Sequence, residues 1–133
     1  MPKVAEPYIH GRAVRHLAKG RIVIFAGGTG NPYFTTDTAA ALRAKEIEAD
    51  LLLLAKYGTD GVYDKDPRSF ADADKFQDMT YDDVLSRDLQ VMDLTAVTLC
   101  KEHGVPIYVF DMDADGAVVD ALLERSSSGT LIS

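Results

Sequence analysis

The sequence predicts an α/β fold with a mostly parallel sheet. Two short apolar segments, residues 21–26 and 51–55, have the composition of buried strands, and residues 107–110 predict a third strand. Segments of helical character alternate with them along the chain, as in parallel α/β sheets. The 133 residues are enough for one domain, so we expect residues 1–133 to form a single unit.

The first half of the chain begins with a predicted helix over residues 5–19, which places Ile9, Ala13, Val14 and Leu17 near one face. Gly20 is expected to end this helix. Residues 21–26 are the first predicted buried strand, and the glycine-rich residues 27–32 form a loop. Thr36 or Asp37 is the expected N-cap of a helix over residues 38–47.

The second half starts with the predicted buried strand 51–55. Residues 56–68 predict a hairpin or an ordered loop, and residues 72–77 a polar connector. Thr80 has capping-box spacing, with Asp83 in place of the usual glutamate. The remaining predicted elements are a helix over residues 92–103 ended by Gly104, a strand over 107–110, a helix over 116–124 and a strand over 129–132.

Charge and composition exclude several classes of protein. The 14 Lys and Arg residues against 21 Asp and Glu residues give a net charge of −7, which disfavours nucleic-acid binding. A small phosphorylated ligand stays compatible with this charge, because backbone amides can hold a phosphate. The lone Cys100 suits a reducing compartment. With no long apolar run and no signal-peptide core, we expect a cytoplasmic protein without a membrane span.

The loop Gly27–Pro32 is the first candidate site. It links a predicted strand to a helix N-terminus, where free amides can bind an anion, and its glycines permit close backbone approach. A tight turn without a ligand explains the same glycines equally well. Asp37 at the helix start is either a cap or a carboxylate that orients cations at a phosphoryl-transfer site.

The segment Ala55–Pro67 is the second candidate site, since it follows the second strand. Its two tyrosines could clamp a purine and its carboxylates could hold a ribose or a metal. An exposed turn is the alternative interpretation. We predict no metal site from His10, His16, His103 or Cys100, which lack ligand spacing, and we expect Asp111, Asp113 and Asp115 to be a solvated connector.

One string of residues is specific enough to indicate a family. Gly27–Ala40 reads Gly-Gly-Thr-Gly-Asn-Pro-Tyr-Phe-Thr-Thr-Asp-Thr-Ala-Ala and resembles the nucleotide-site motif of bacterial uridylate (UMP) kinases, which are amino acid kinases. The similarity continues in order through residues 4–8, 54–56, 60–67, 80–81, 91–96, 106–110 and 129–132. It implies a three-layer α/β/α sandwich and the reaction UMP + ATP → UDP + ADP, with Mg²⁺, in pyrimidine nucleotide biosynthesis.

The resemblance also assigns roles to individual residues. It implies that Asp37 orients catalytic lysines and that Lys56 faces a phosphate. Tyr57, Tyr63 and Asp66 would contact the adenosine of ATP. The acceptor UMP would be held by Thr29, Gly30, Asn31, Pro32, Tyr33, Phe34, Thr35 and Thr36. No protein ligands to a metal are implied, and the family forms homo-oligomers, usually hexamers.

The chain departs from this family in its extent. It resembles only the C-terminal, ATP-binding half, and the N-terminal half, with most of the cations that phosphoryl transfer needs, is absent. We therefore expect weak or no activity from the chain alone. Two alternatives stay open: a non-catalytic nucleotide-binding or interaction module, and an amino acid kinase that acts on a carboxylate or carbamate.

Overall fold

The computed structural model describes residues 3–113, 115–123 and 128–133. Five helices and six strands lie in this part of the chain. In order they are α1 His10–Ala18, α2 Thr36–Glu46, β1 Leu52–Lys56, β2 Val62–Tyr63, β3 Lys75–Phe76, β4 Asp78–Met79, α3 Tyr81–Ser86, α4 Leu94–His103, β5 Ile107–Asp111, α5 Ala117–Leu123 and β6 Thr130–Ile132.

The main sheet has four strands in the order β1-β5-β6-β4. β1 and β5 are parallel, with Leu52 opposite Ile107, and β4 and β6 are also parallel. β6 runs antiparallel to β5, so the sheet is mostly parallel, as predicted. β2 and β3 form a separate antiparallel pair. Thr130 joins the two sheets, because its buried hydroxyl accepts from Val62 N–H at 2.9 Å and donates to the Phe76 carbonyl at 2.5 Å.

The two faces of the sheet have separate hydrophobic clusters, which gives three layers. Ile107 and Val109 of β5 pack with residues of α2, α3 and α4 on one face. Tyr108 and Phe110 pack with Ala121 of α5 on the other. This alternation follows from the two-residue period of a strand. Within the described residues, no helix is long and apolar enough to cross a bilayer.

Helix ends follow the local signals in the sequence. Thr80 and Asp83 form the predicted capping box of α3. Gly104 ends α4 with a left-handed φ of 64°. Cys100 of α4 lies in the core and is only 1% exposed, and burial raises the pKa of its thiol to about 11.

The predicted buried strand over residues 21–26 is wrong. The segment is extended, but it pairs with no strand among the described residues. Ile22 and Ile24 are 94% and 87% exposed. The apolar run correctly indicates an extended backbone, but burial requires a neighbouring strand that the described chain does not supply.

The first helix is shorter than predicted, since it begins at His10 rather than at residue 5. Only Ala13 of its predicted apolar face is buried; Ile9 and Val14 are exposed. The start of this helix and the residue Tyr8 before it contact the C-terminal end of α2. Tyr8 Oη donates to Glu46, and His10 Nε2 lies 2.6 Å from the Glu46 carbonyl oxygen.

Other differences are smaller. The N-cap of α2 is Thr35, rather than Thr36 or Asp37. The polar connector predicted over residues 72–77 contains strand β3. α4 begins at Leu94 instead of residue 92. β1 is only half-buried, because its outer edge pairs with no strand in the described part of the chain. The predicted last residue of the fifth helix, Glu124, lies outside the described residues.

Candidate functional site

The loop before α2, here called the glycine loop (Gly27–Pro32), has positive φ values at its glycines. Gly27, Gly28 and Gly30 have φ values of 91°, 62° and 75°, which other residues rarely adopt. Thr29 Oγ1 accepts from Asn31 N–H at 3.1 Å and fixes the turn. Tyr33 also has a positive φ, and its side chain is fully exposed. The loop therefore presents polar groups and free amides to solvent.

The N-termini of α2 and α4 are joined by the carboxylate of Asp93. Thr35 Oγ1 donates to Asp93 Oδ2, and Thr38 Oγ1 donates to the same carboxylate at 3.1 Å. Asp93 also caps its own helix by accepting from Ala96 N–H at 2.9 Å. The segment Thr29–Thr36 is called the threonine loop below. The Asp93 carboxylate thus anchors the C-terminal end of this loop to a second helix.

Asp37 takes part in the same cluster without capping its own helix. Its Oδ2 accepts from the backbone N–H of Asp93 at 3.3 Å. Asp37 lies in the first turn of α2, where a negative charge is favoured by the helix dipole. The residue is half-buried and this hydrogen bond fixes the direction of its carboxylate, which is a requirement for orienting another charged group.

Asp93 was not among the predicted site residues. Burial alone would raise the pKa of its carboxyl, but the hydrogen bonds from Thr35, Ala96 and Thr38 outweigh burial and lower that pKa. The sequence contains a local signal for the capping of α4 by Asp93, because an aspartate just before an apolar helix is a common N-cap. Its contact with the threonine loop joins residues more than 50 positions apart and has no local signal.

Lys56 ends β1, opposite Asp111 at the end of β5. Its backbone carbonyl accepts from Met112 N–H at 3.0 Å, which holds the two strand ends together. The residue is half-buried, and its ammonium group forms no ion pair with the residues that the structure describes. This lysine is therefore free to meet an anion at the carboxyl edge of the sheet.

The tyrosines that follow β1 differ from each other. Tyr57 is 75% exposed. Tyr63 Oη donates to Asp60 Oδ1 at 2.6 Å, and Lys75 Nζ donates to the other oxygen of the same carboxylate at 2.7 Å. The hydrogen bond to Asp60, followed by burial and the charge of Asp60, raises the pKa of Tyr63 to about 12.

The titration of Tyr63 is directly measurable. Between pH 10 and about 12 the folded chain keeps a proton that the unfolded chain loses, so stability is expected to fall as pH rises through this window. In phenolate absorbance, the difference between the native chain and Tyr63→Phe should have its midpoint near 12. Exposed Tyr57→Phe is the control and should keep that step. A difference midpoint near 10 would contradict the Asp60 contact.

Asp66 lies in an exposed turn. Its Oδ1 accepts from Arg68 N–H at 2.9 Å and its Oδ2 accepts from Ser69 Oγ at 3.1 Å. The turn interpretation of Asp66-Pro67 thus accounts for the contacts of this carboxylate, and its role toward ATP stays a prediction.

A cleft of about 830 Å³ adjoins the glycine loop. Thr29, Gly30 and Thr36 line it, together with residues of α1, α2 and the start of β1. The other predicted site residues do not line this cleft. Two clusters of side chains result from the hydrogen bonds described above. Thr35, Asp37 and Asp93 form one, and Tyr63, Asp60 and Lys75 form the other.

Comparison with known proteins places these features in context. Residues 6–111 match the model of the amino acid kinase family. The uridylate kinase of Oenococcus oeni is 55% identical over 132 residues, which are 99% of this chain and 54% of that protein. The chain thus spans about half the length of this curated relative.

Solved structures give the same result. The UMP kinase of Bacillus anthracis superposes with a TM-score of 0.93 at 43% identity, over 98% of this chain and 53% of that one. The UMP kinase of Ureaplasma parvum superposes with a TM-score of 0.93 at 37% identity, over 100% and 56% of the two chains. The uridylate kinase of Archaeoglobus fulgidus is more distant, with a TM-score of 0.70 at 30% identity, over 96% and 59%.

Proposed function

The chain belongs to the amino acid kinase family, and on that basis we propose that it forms the nucleotide-binding half of a uridylate kinase. The reaction transfers the γ-phosphoryl group of ATP to UMP and yields UDP for pyrimidine nucleotide biosynthesis. The bond from the γ-phosphorus to the bridging oxygen of ADP breaks, and a bond to a phosphate oxygen of UMP forms. We also propose that the protein is located in the cytoplasm and forms a homo-oligomer.

The glycine loop in front of α2 is the observation that carries the proposal. Its positive-φ glycines leave backbone amides unshielded by side chains, and the helix dipole favours an anion there. We assign the phosphate and base of UMP to residues Thr29–Thr36, whose hydroxyl and amide groups can donate to an acceptor. The acidic balance of the chain is compatible with this assignment, because the donors are mostly uncharged.

Two residues are proposed to act on the transferred group. The fixed carboxylate of Asp37 orients cations around the phosphates, and the unpaired ammonium of Lys56 neutralises negative charge. Phosphoryl transfer depends on positioning and charge neutralisation more than on acid–base chemistry. A carboxylate held in place by a backbone N–H suits the positioning role.

ATP is proposed to bind beyond β1, against Tyr57, Tyr63 and Asp66. Among the described residues, no group of three or more His, Cys, Asp or Glu could hold a metal ion. We propose that Mg²⁺ arrives on the ATP phosphates, since Mg²⁺ commonly binds through one or two carboxylates plus phosphate oxygens. When bound, the ion would neutralise charge between the phosphates.

The chain alone is expected to show weak or no kinase activity. Lys56 is the one cation among the residues assigned here to the nucleotides, and loss of one group that stabilises a transition state costs about 3–4 kcal/mol of barrier. UMP-dependent formation of ADP by the purified chain is the measurement. Turnover equal to that of the Oenococcus oeni enzyme, assayed beside it, would contradict this expectation.

Binding tests the assignment of the site independently of turnover. An NMR titration with UMP is expected to shift the amide signals of residues 29–36, and ATP is expected to shift those of residues 57–66. A panel of CMP, AMP, aspartate and glutamate is the control for acceptor class. Binding of ATP without UMP would favour a non-catalytic nucleotide-binding module, and preference for an amino acid would favour a different amino acid kinase.

A further inference from the structure

The ammonium group of Lys75 joins three segments of the chain beside the proposed ATP site. Its Nζ donates to Asp60 Oδ2 at 2.7 Å and to the Ser128 carbonyl at 3.1 Å. Asp60 lies in the loop after β1, Lys75 belongs to β3, and Ser128 lies just before β6. The Lys75 side chain is only 24% exposed, so its contacts are partly shielded from solvent and salt.

Asp60 passes this constraint on to Tyr63. Tyr63 Oη donates to Oδ1 of the carboxylate whose Oδ2 accepts from Lys75, and the two residues lie directly opposite each other in the β2–β3 pair. Burial alone would raise the pKa of Asp60, but the hydrogen bonds from Lys75 and Tyr63 lower that pKa and keep the carboxylate charged near neutral pH. The hydroxyl proton of Tyr63 is thus already donated, and its ring is what Tyr63 can offer to a ligand.

The packing of the loop after β1 brings this ion pair together. A Cβ atom at Gly61 would lie 3.1 Å from Lys75 Cδ and 2.6 Å from Thr130 Oγ1. The loop therefore lies directly on the lysine stem and on the hydroxyl that joins the two sheets. Asp60 and Lys75 are held in reach of each other by backbone packing, so less side-chain entropy is lost in their pairing than when two free surface chains meet.

The same ion pair cancels a charge that ATP would oppose. Without Lys75, the carboxylate of Asp60 would be an uncompensated negative charge in contact with Tyr63, a residue that we assign to ATP. ATP carries several negative charges of its own, and like charges at short range disfavour binding. Lys75 therefore has two effects, since it fixes the direction of the Asp60 carboxylate and neutralises it.

We propose, on the basis of the ATP site proposed above, that Lys75 is a positioning residue, which acts through Asp60 to hold the Tyr63 ring against the adenosine. Lys75 contacts Asp60 and the backbone rather than the nucleotide. A ring that is fixed before ATP arrives loses less conformational freedom on binding, which favours affinity.

ATP affinity of the whole chain, measured by the amide titration described above, tests this role. Lys75→Gln is expected to weaken ATP binding about fivefold or more, because it removes a charge-assisted hydrogen bond and leaves the Asp60 charge uncompensated. Lys75→Arg keeps the cation and should retain most of the affinity.

A double variant separates positioning from a merely structural role. In Asp60→Asn with Lys75→Gln, the repelling charge is gone and the asparagine oxygen still accepts from Tyr63 Oη, so part of the lost ATP affinity should return. If Lys75 only supported the fold, loss of both partners would weaken binding at least as much as loss of one.

Lys101→Gln is the matched control. Lys101 also donates to one carboxylate, that of Asp82 at 2.5 Å, but this pair joins α4 to α3. The control should keep the ATP affinity of the native chain, and every variant should keep its UMP affinity. Circular dichroism verifies that each variant is folded.

The outcomes distinguish the role of Lys75 from the ATP site itself. Equal ATP affinity of the native chain and Lys75→Gln, or a double variant no better than the single one, would overturn the positioning role and leave the ATP site standing. A native chain that binds no ATP would overturn both.

Discussion

Replacing Ile107 with alanine is expected to lower the free energy of unfolding by about 2–5 kcal/mol. Ile107 is fully buried on β5, the strand between β1 and β6. It lies opposite Leu52 on one side and Ile132 on the other. Truncation removes contacts with both neighbouring strands and leaves a cavity that the sheet cannot close. Urea unfolding followed by circular dichroism measures the loss.

Ile22→Ala is the matched control, because it makes the same chemical change at a position that is 94% exposed. Its effect should stay within about 0.5 kcal/mol. A loss at Ile107 below about 1 kcal/mol, or equal losses at the two positions, would show that β5 is not the centre of the core.

Asp93→Ala is expected to cost about 2–4 kcal/mol of stability and to weaken binding of UMP. The substitution removes the N-cap of α4 and leaves the hydroxyls of Thr35 and Thr38 without their acceptor. The end of the threonine loop then loses its attachment to α4. Urea unfolding gives the stability, and the UMP titration described above gives the binding.

Asp93→Asn separates the cap from the charge. Asparagine caps helices about as well as aspartate, so roughly half of the lost stability should return. Hydrogen bonds lower the pKa of Asp93 from 3.8, so its ionised form stabilises the fold above that pH, and this contribution is lost as pH falls through the lowered pKa. The asparagine variant should lack this acid-dependent loss. Equal stability of both variants and the native chain would contradict the bridging role.

Features with local causes could be predicted from the sequence. The capping box at Thr80, the left-handed Gly104 and the apolar run of β5 depend on residues close in the chain, and the structure contains all three. The alternation of β5 side chains between two clusters follows from strand geometry alone.

Features that depend on distant residues could not be predicted from the sequence. Residues 21–26 carry a strand pattern, but whether they are buried depends on a neighbour that no local pattern specifies. The candidate site shows the same dependence on distant residues. The sequence predicts the threonine loop, but not its attachment to Asp93. That attachment arises from the packing of α2 on α4 and joins residues more than 50 positions apart. The open edge of Arg21–Ala26 and the joined helix ends are both tertiary properties.

The buried thiol of Cys100 can report how often α4 separates from the sheet. The thiol is 1% exposed on α4, and its raised pKa keeps it protonated near neutral pH. An alkylating reagent can therefore reach a reactive thiolate only when α4 separates from the sheet. Since this is the single cysteine of the chain, the rate of its modification reads the frequency of that separation without any added label.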